Sequence, residues 1–248
     1  MWQLSATEVV DKLKTGEVSP LEMVDVAISR IQKIEPYINA LPIQFFDEAR
    51  DIAKQFKRPK NPSLGWLGGL PIVIKDYNDV AGQLTTYGSP IYANNRPKQD
   101  DLTVATLRSN GAIPLAKSNV PEFAGSHTFN PVWGLTKNPW NLDKTAGGSS
   151  GGAAASLASG ESWLANGSWL CSRRCGRVAG SGNAREDVHA LAVGALDEFR
   201  ERDLTESALP ALAVERAHGC CGAQVAEGRH VLDQQEARAW LVAGQNKR

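Results

Sequence analysis

Gly68-Gly69-Leu70-Pro71-Ile72-Val73-Ile74-Lys75-Asp76 is the stretch from which the fold is read. Two glycines supply a turn, an apolar run follows, and a charged pair ends it. That is the pattern of a short strand buried on both faces, as in a parallel sheet. Upstream, Ser5-Ala6-Thr7-Glu8 makes a capping box ahead of Val9, Val10 and Leu13, with a stop at Gly16. Ser19 and Glu22 make a second box, with Pro20 at the first helical position. Met23, Val24, Ala27, Ile28, Ile31 and Ile34 then fall on one face, and the helix is expected to end before Pro36. Downstream, Asp101 caps a helix through Asn110, Gly111 closes it, and Ala112-Ile113-Pro114-Leu115-Ala116 reads as the next strand. Strands alternating with helices predict an α/β fold.

The 248 residues are 42% hydrophobic and 22% charged, which excludes wholesale disorder and leaves room for one large domain or two smaller ones. Twenty-seven basic residues balance 27 acidic ones, so nothing in the net charge suits nucleic acid or an anionic membrane. No apolar run approaches a bilayer span, and the N-terminus carries no signal-peptide pattern. The expectation is a soluble, cytoplasmic protein with no nucleic-acid or membrane partner. Oligomeric state is not legible. The four cysteines, Cys171, Cys175, Cys220 and Cys221, make no secreted disulfide framework. Even with His189 they lack the two tight pairs of a zinc site, so no metal is expected.

Composition breaks near residue 168. Lysine is frequent up to Lys144 and returns only at Lys247, whereas ten of the fifteen arginines and all four cysteines follow the break. Two parts are therefore expected, residues 1–168 and 169–248. In the second, Val188, Leu191, Ala192, Ala195, Leu196 and Phe199 keep helical spacing, which predicts a helix from about Ala184 to Asp203 in a generally helical segment.

Two features bear on chemistry. Thr145-Ala146-Gly147-Gly148-Ser149-Ser150-Gly151-Gly152 can present hydroxyls and amide N–H groups into a site, or it can be a flexible linker. A phosphate loop is excluded because the lysine after its last glycine is missing. Lys75 ends an apolar run, as surface lysines often do. Buried instead, it would favour the neutral amine, a general base that can activate serine hydroxyls.

Together these residues resemble the amidase signature family. The resemblance is carried by Gly69-Leu70-Pro71-Ile72-Val73-Ile74-Lys75-Asp76, Thr85-Thr86-Tyr87-Gly88-Ser89, and Gly111-Ala112-Ile113-Pro114-Leu115-Ala116-Lys117-Ser118-Asn119 with Pro121-Glu122-Phe123. Asn138-Pro139-Trp140 and Gly147-Gly148-Ser149-Ser150-Gly151-Gly152 complete it, in family order, over about residues 1–168. The resemblance implies a mixed sheet covered by helices and hydrolysis of a linear carboxamide through a Ser–cis-Ser–Lys triad, without a cofactor. It implies Lys75 as general base, Ser149 as the bridging serine with a cis peptide before it, and Ser150 in a structural role. It places Phe123, Ala124, Gly125 and Ser126 on the loop lining the pocket for a small-molecule amide.

Beyond Ser168 the pattern departs. The family continues into Asp-x-Gly-Gly-Ser, whose serine attacks the carbonyl, but this chain reads Trp169-Leu170-Cys171-Ser172-Arg173. Arg173 occupies the nucleophile's position, and a guanidinium stays protonated. The expectation is a truncated amidase-signature domain followed by a frameshifted or fused segment, inactive in this chain. The alternatives are a non-catalytic amide-binding or interaction protein and a nonfunctional truncated product.

Overall fold

A computed structural model describes residues 1–125, 127–169 and 188–193. Helix α1 (Ala6–Thr15) starts where expected: the Ser5 side chain accepts from the Glu8 N–H, and the Glu8 carboxylate accepts from the Ser5 N–H. Helix α2 (Pro20–Ile38) opens with the same reciprocal box between Ser19 and Glu22 and buries Met23, Val24, Ala27, Ile28, Ile31, Ile34 and Ile38.

The stop expected before Pro36 is corrected. Pro36 sits inside α2, which runs to Ile38 and closes on Asn39 in the left-handed region at φ 53°. Glu35 makes this end self-sufficient, since its carboxylate accepts from the Ala40 and Leu41 N–H groups at 2.8 and 2.7 Å. A proline in the last turn removes one backbone donor only, and the bonds beyond it hold the turn.

Strand β1 (Ile43–Gln44), helix α3 (Phe46–Lys54), strand β2 (Pro71–Lys75), helix α4 (Leu102–Ser109) and strand β3 (Ile113–Ser118) follow. Two small antiparallel ribbons come next, β4 (Phe129–Asn130) with β5 (Gly134–Leu135) and β6 (Lys137–Asn138) with β7 (Asn141–Thr145). Helix α5 (Gly151–Ala158) and strands β8 (Leu164–Trp169) and β9 (Val188–Val193) complete the described elements. The main sheet has the order β1-β3-β2-β8-β9, with the inner pairs parallel and both outer pairs antiparallel.

Every residue of β2 is buried, as its unbroken apolar run requires, with α2 and α5 packed on it. Pro114 lies in an inner strand although it lacks a ladder donor. The register shows how: Ile72 pairs with Pro114 and Val73 with Ala116, a bulge that turns the Leu115 carbonyl to the Phe45 N–H at 3.1 Å. The glycines opening α5 are packing requirements. A Cβ on Gly152 would lie 2.4 Å from the Asn119 nitrogen and 2.7 Å from the Ala40 oxygen, so α5 touches backbone at the end of β3.

A second correction concerns residues 188–193, expected within a helix. They form β9, paired with β8 from Leu164↔Val193 to Trp169↔Val188. Six apolar-rich residues satisfy a strand as readily as a helical turn, and an available sheet edge decides between them. The remainder of the expected 184–203 helix, Arg173 and the four cysteines lie outside the described residues. Among the described residues no helix is long and apolar enough to cross a membrane, and no cluster of acidic, histidine or cysteine side chains is placed to hold a metal.

Candidate active site

Lys75 is the last residue of β2 and is fully buried. Its backbone N–H donates to Asn166 Oδ1 at 2.7 Å, and its carbonyl accepts from the Asn78 N–H at 2.9 Å. Asn166 Nδ2 in turn donates to Asn78 Oδ1 at 2.7 Å, and Asn78 Nδ2 to Asp101 Oδ2 at 2.6 Å. The same Asp101 caps α4 through the Val104 N–H at 2.9 Å, so β8, β2 and α4 are tied together around the backbone of one lysine.

Ser149 and Ser150 stand between β7 and α5. The Gly148–Ser149 peptide is cis, and Gly147 takes φ 77°. Lys75 Nζ donates to Ser149 Oγ at 2.9 Å and to Ser150 Oγ at 2.8 Å. The Gly/Ser run is therefore an ordered loop laid over the end of β2, held by Thr128, whose N–H donates to the Gly147 carbonyl at 2.7 Å and whose Oγ1 accepts from the Gly151 N–H at 3.0 Å. Ser150, expected only to support the loop, also meets the amine.

A second buried lysine lies on the neighbouring strand β3. Lys117 Nζ is 3.0 Å from Asp76 Oδ1, with both side chains fully buried, and it also donates to Thr85 Oγ1. Asp76 further accepts from the Thr86 N–H at 3.1 Å and from the Thr86 hydroxyl. Burial pushes the Asp76 carboxyl up and the Lys117 ammonium down, and their contact opposes both shifts. We assign the pair as ionised, since a carboxylate with these donors is acting as an acceptor throughout. Sequence reading placed these residues in motifs without seeing that they pair; one charge just after an apolar strand and one near the end of the next were the available signal.

Phe123 and Ala124 lie on a single turn after β3 with φ values of 45° and 58°, and the Gly125 N–H closes that turn on the Glu122 carbonyl at 3.1 Å. Ser126 lies outside the described residues. Phe123 belongs to a row of rings that reaches Lys75. Its ring stands edge-on to Tyr92, centroids 6.2 Å apart, Tyr92 to Tyr87 at 5.1 Å, and Tyr87 to Tyr77 at 5.6 Å. Lys75 Nζ lies 5.4 Å from the Tyr77 ring centre. The contacts among the three tyrosines were not legible in the sequence, because no spacing rule links positions 77, 87 and 92.

These geometries can be set beside known proteins. Residues 22–168 match the Amidase family. The chain is 36% identical over 170 residues to indoleacetamide hydrolase of Bradyrhizobium diazoefficiens, covering 67% of this chain and 32% of that protein. It is 39% identical over 173 residues to a subunit of the glutamyl-tRNA(Gln) amidotransferase of Carboxydothermus hydrogenoformans, covering 68% and 35%. Among solved structures, 6-aminohexanoate cyclic dimer hydrolase complexed with substrate superposes with TM-score 0.61 at 31% identity, over 67% of this chain and 34% of that one. The chain spans about a third of the length of the curated relatives it matches.

Proposed function

The chain belongs to the Amidase family, and we propose that it carries the lysine–serine part of a site for linear carboxamides, with Lys75 as proton acceptor and Ser149 as bridging hydroxyl. The contact of buried Lys75 Nζ with Ser149 Oγ, at 2.9 Å, carries this reading. A buried amine is held neutral more cheaply than charged, and a neutral amine can take a proton. In the family's reaction as we read it, an attacking serine gives its proton to Ser149 while Ser149 gives its own to Lys75. The serine oxygen bonds to the amide carbon, the C–N bond breaks, and the proton returns to the departing nitrogen. Water then cleaves the ester, releasing the acid and restoring the hydroxyl.

This chain reads Arg173 where the family pattern has the attacking serine. The proposed activity of the chain as it stands is therefore binding of a small carboxamide without turnover, with Phe123, Ala124, Gly125 and Ser126 on the substrate side. The test is ammonia release from simple amides against a Lys75→Ala control, with serine-directed fluorophosphonate labelling in parallel. No release above control and no labelled serine support the reading. Lys75-dependent release would show that another hydroxyl has taken the nucleophile's place.

A further inference from the structure

The main sheet separates two sets of side chains. In register, Lys75 pairs with Ser118, while Ile74 and Ile43 both pair with Lys117. Neighbouring positions along a strand face opposite ways. Lys75 therefore reaches the serines from one face, and Lys117 and Ile43 stand on the other. At the edge made by β1, a groove of about 190 Å³ opens beside Ile43 and Leu84, with Pro42, Gln44, Arg96 and Trp133 around it. Thr85, next to Leu84, accepts from Lys117 Nζ, and β3 lies between this edge and β2.

The apolar side of the groove is fixed in place. Trp133 is half-buried and held by three hydrogen bonds. Its backbone N–H donates to Asn130 Oδ1 at 2.7 Å, its carbonyl accepts from Asn39 Nδ2 at 2.7 Å, and its indole N–H donates to Thr86 Oγ1 at 3.0 Å. The indole's single donor is thereby used, and its ring adds apolar surface to that of Ile43 and Leu84.

The polar side is cationic. Arg96 is exposed, and its Nη1 donates to the Gly82 carbonyl at 2.9 Å, which anchors the guanidinium without neutralising it. The acids tied to this loop are committed elsewhere. Glu48 accepts from Gln83 Nε2 and lies 3.7 Å from Arg108, while Asp100 lies 3.1 Å from Arg108 and accepts from the Ala81 N–H at 2.8 Å. Among the described residues no carboxylate pairs with Arg96. A further donor lies at the edge. The Phe45 N–H bonds to the Leu115 carbonyl, so the peptide N–H of Gln44, one position back, turns away from β3.

We infer that this groove is a second binding site, separate from the lysine–serine cluster, for a small monocarboxylate bearing an apolar group. The carboxylate lies on Arg96, whose fork of donors matches a pair of carboxylate oxygens, and the apolar group lies against Trp133, Leu84 and Ile43. The volume suits a ligand built on a single ring. The inference stands on this groove and does not draw on the carboxamide reading.

Photolabelling of the full chain with 4-azidobenzoate, followed by peptide mapping, tests it, with benzoate, acetate and methyl benzoate as competitors. Saturable label is expected on peptides carrying residues 42–44, 83–84 or 133. Benzoate should protect at concentrations about tenfold or more below those of acetate, which lacks the ring, and of the ester, which lacks the charge. Arg96→Gln should raise the half-saturating concentration about tenfold or more, and Arg96→Lys should recover part of that loss. Arg96 is on the surface, so both substitutions leave the described core intact. Label confined to peptides carrying Lys75 or residues 145–152 overturns the inference, because the carboxylate then belongs to the lysine–serine cluster. Protection by the ester equal to that by benzoate, or saturation unchanged in Arg96→Gln, overturns the carboxylate site. Absence of saturable labelling overturns the site altogether.

Discussion

Lys117→Met removes a buried cation and leaves its partner carboxylate in place. Lys117 and Asp76 are both fully buried 3.0 Å apart, so no solvent takes over the lost contact. Stranding one member of such a pair costs about 3–5 kcal/mol. Because 1.4 kcal/mol is tenfold in an equilibrium, that is a loss of about a hundredfold to several thousandfold in the protection of β2 and β3 against opening. Amide hydrogen exchange of peptides covering 71–75 and 113–118, corrected for intrinsic rates, reads it directly. The pH dependence has a definite sign. Burial already raises Asp76, and removing Lys117 removes the leading opposing influence, so the folded-state value rises further. A carboxyl whose folded value lies above its unfolded one contributes stability that is intact below the unfolded value and lost as pH rises through the folded one. Lys117→Met should therefore be least damaging near pH 5 and most damaging near pH 8. Adding Asp76→Asn should recover most of the loss, since the amide oxygen still accepts from Thr86 and no charge remains to be stranded. Unchanged protection in Lys117→Met at pH 8, or a double variant as weak as the single one, would refute the assignment of an ionised pair.

Gly152→Ala should destabilise by about 1–3 kcal/mol, because its methyl group would lie 2.4 Å from the Asn119 nitrogen; loss of exchange protection in α5 and β3 measures it. Half-buried Glu35 lies near buried Glu161, and loss of solvent raises Glu35 to about 7 and Glu161 well above the ordinary carboxylate range. Raised folded values mean stability present at acid pH and lost as pH climbs through about 7, so protection of α2 should fall from pH 6 to pH 8. Glu161→Gln should flatten that fall by removing one of the two titrating groups.

Local chemistry made much of the fold legible. Ser5, Ser19 and Asp101 cap helices where their spacing to Glu8, Glu22 and the following apolar residues predicts, and β2 and β3 coincide with the two apolar runs. Helix α3 was not legible, since Phe45 before it makes no side-chain cap bond. Residues 188–193 misled because a short apolar segment takes its state from its neighbours. At the site, Lys75 illustrates the boundary of sequence reading. As one residue ending an apolar run it reads more readily as a surface terminator than as a buried base. What buries it are bonds to Ser149, Ser150 and Asn166, partners 74, 75 and 91 positions away. No local period encodes such contacts, and only the motif resemblance linked these segments before the fold did. The contacts among Tyr77, Tyr87 and Tyr92 became visible only in the fold, and the Asp76–Lys117 pair only with β2 and β3 side by side.

A crystal structure of the full chain grown with phenylacetamide decides whether the lysine–serine cluster is a carboxamide site. Lys75 Nζ should contact both Ser149 Oγ and Ser150 Oγ, with the ligand's carboxamide within about 3.5 Å of one of those hydroxyls. A carboxamide bound elsewhere on the molecule, or a Lys75 amine turned away from both serines toward solvent, would contradict that assignment.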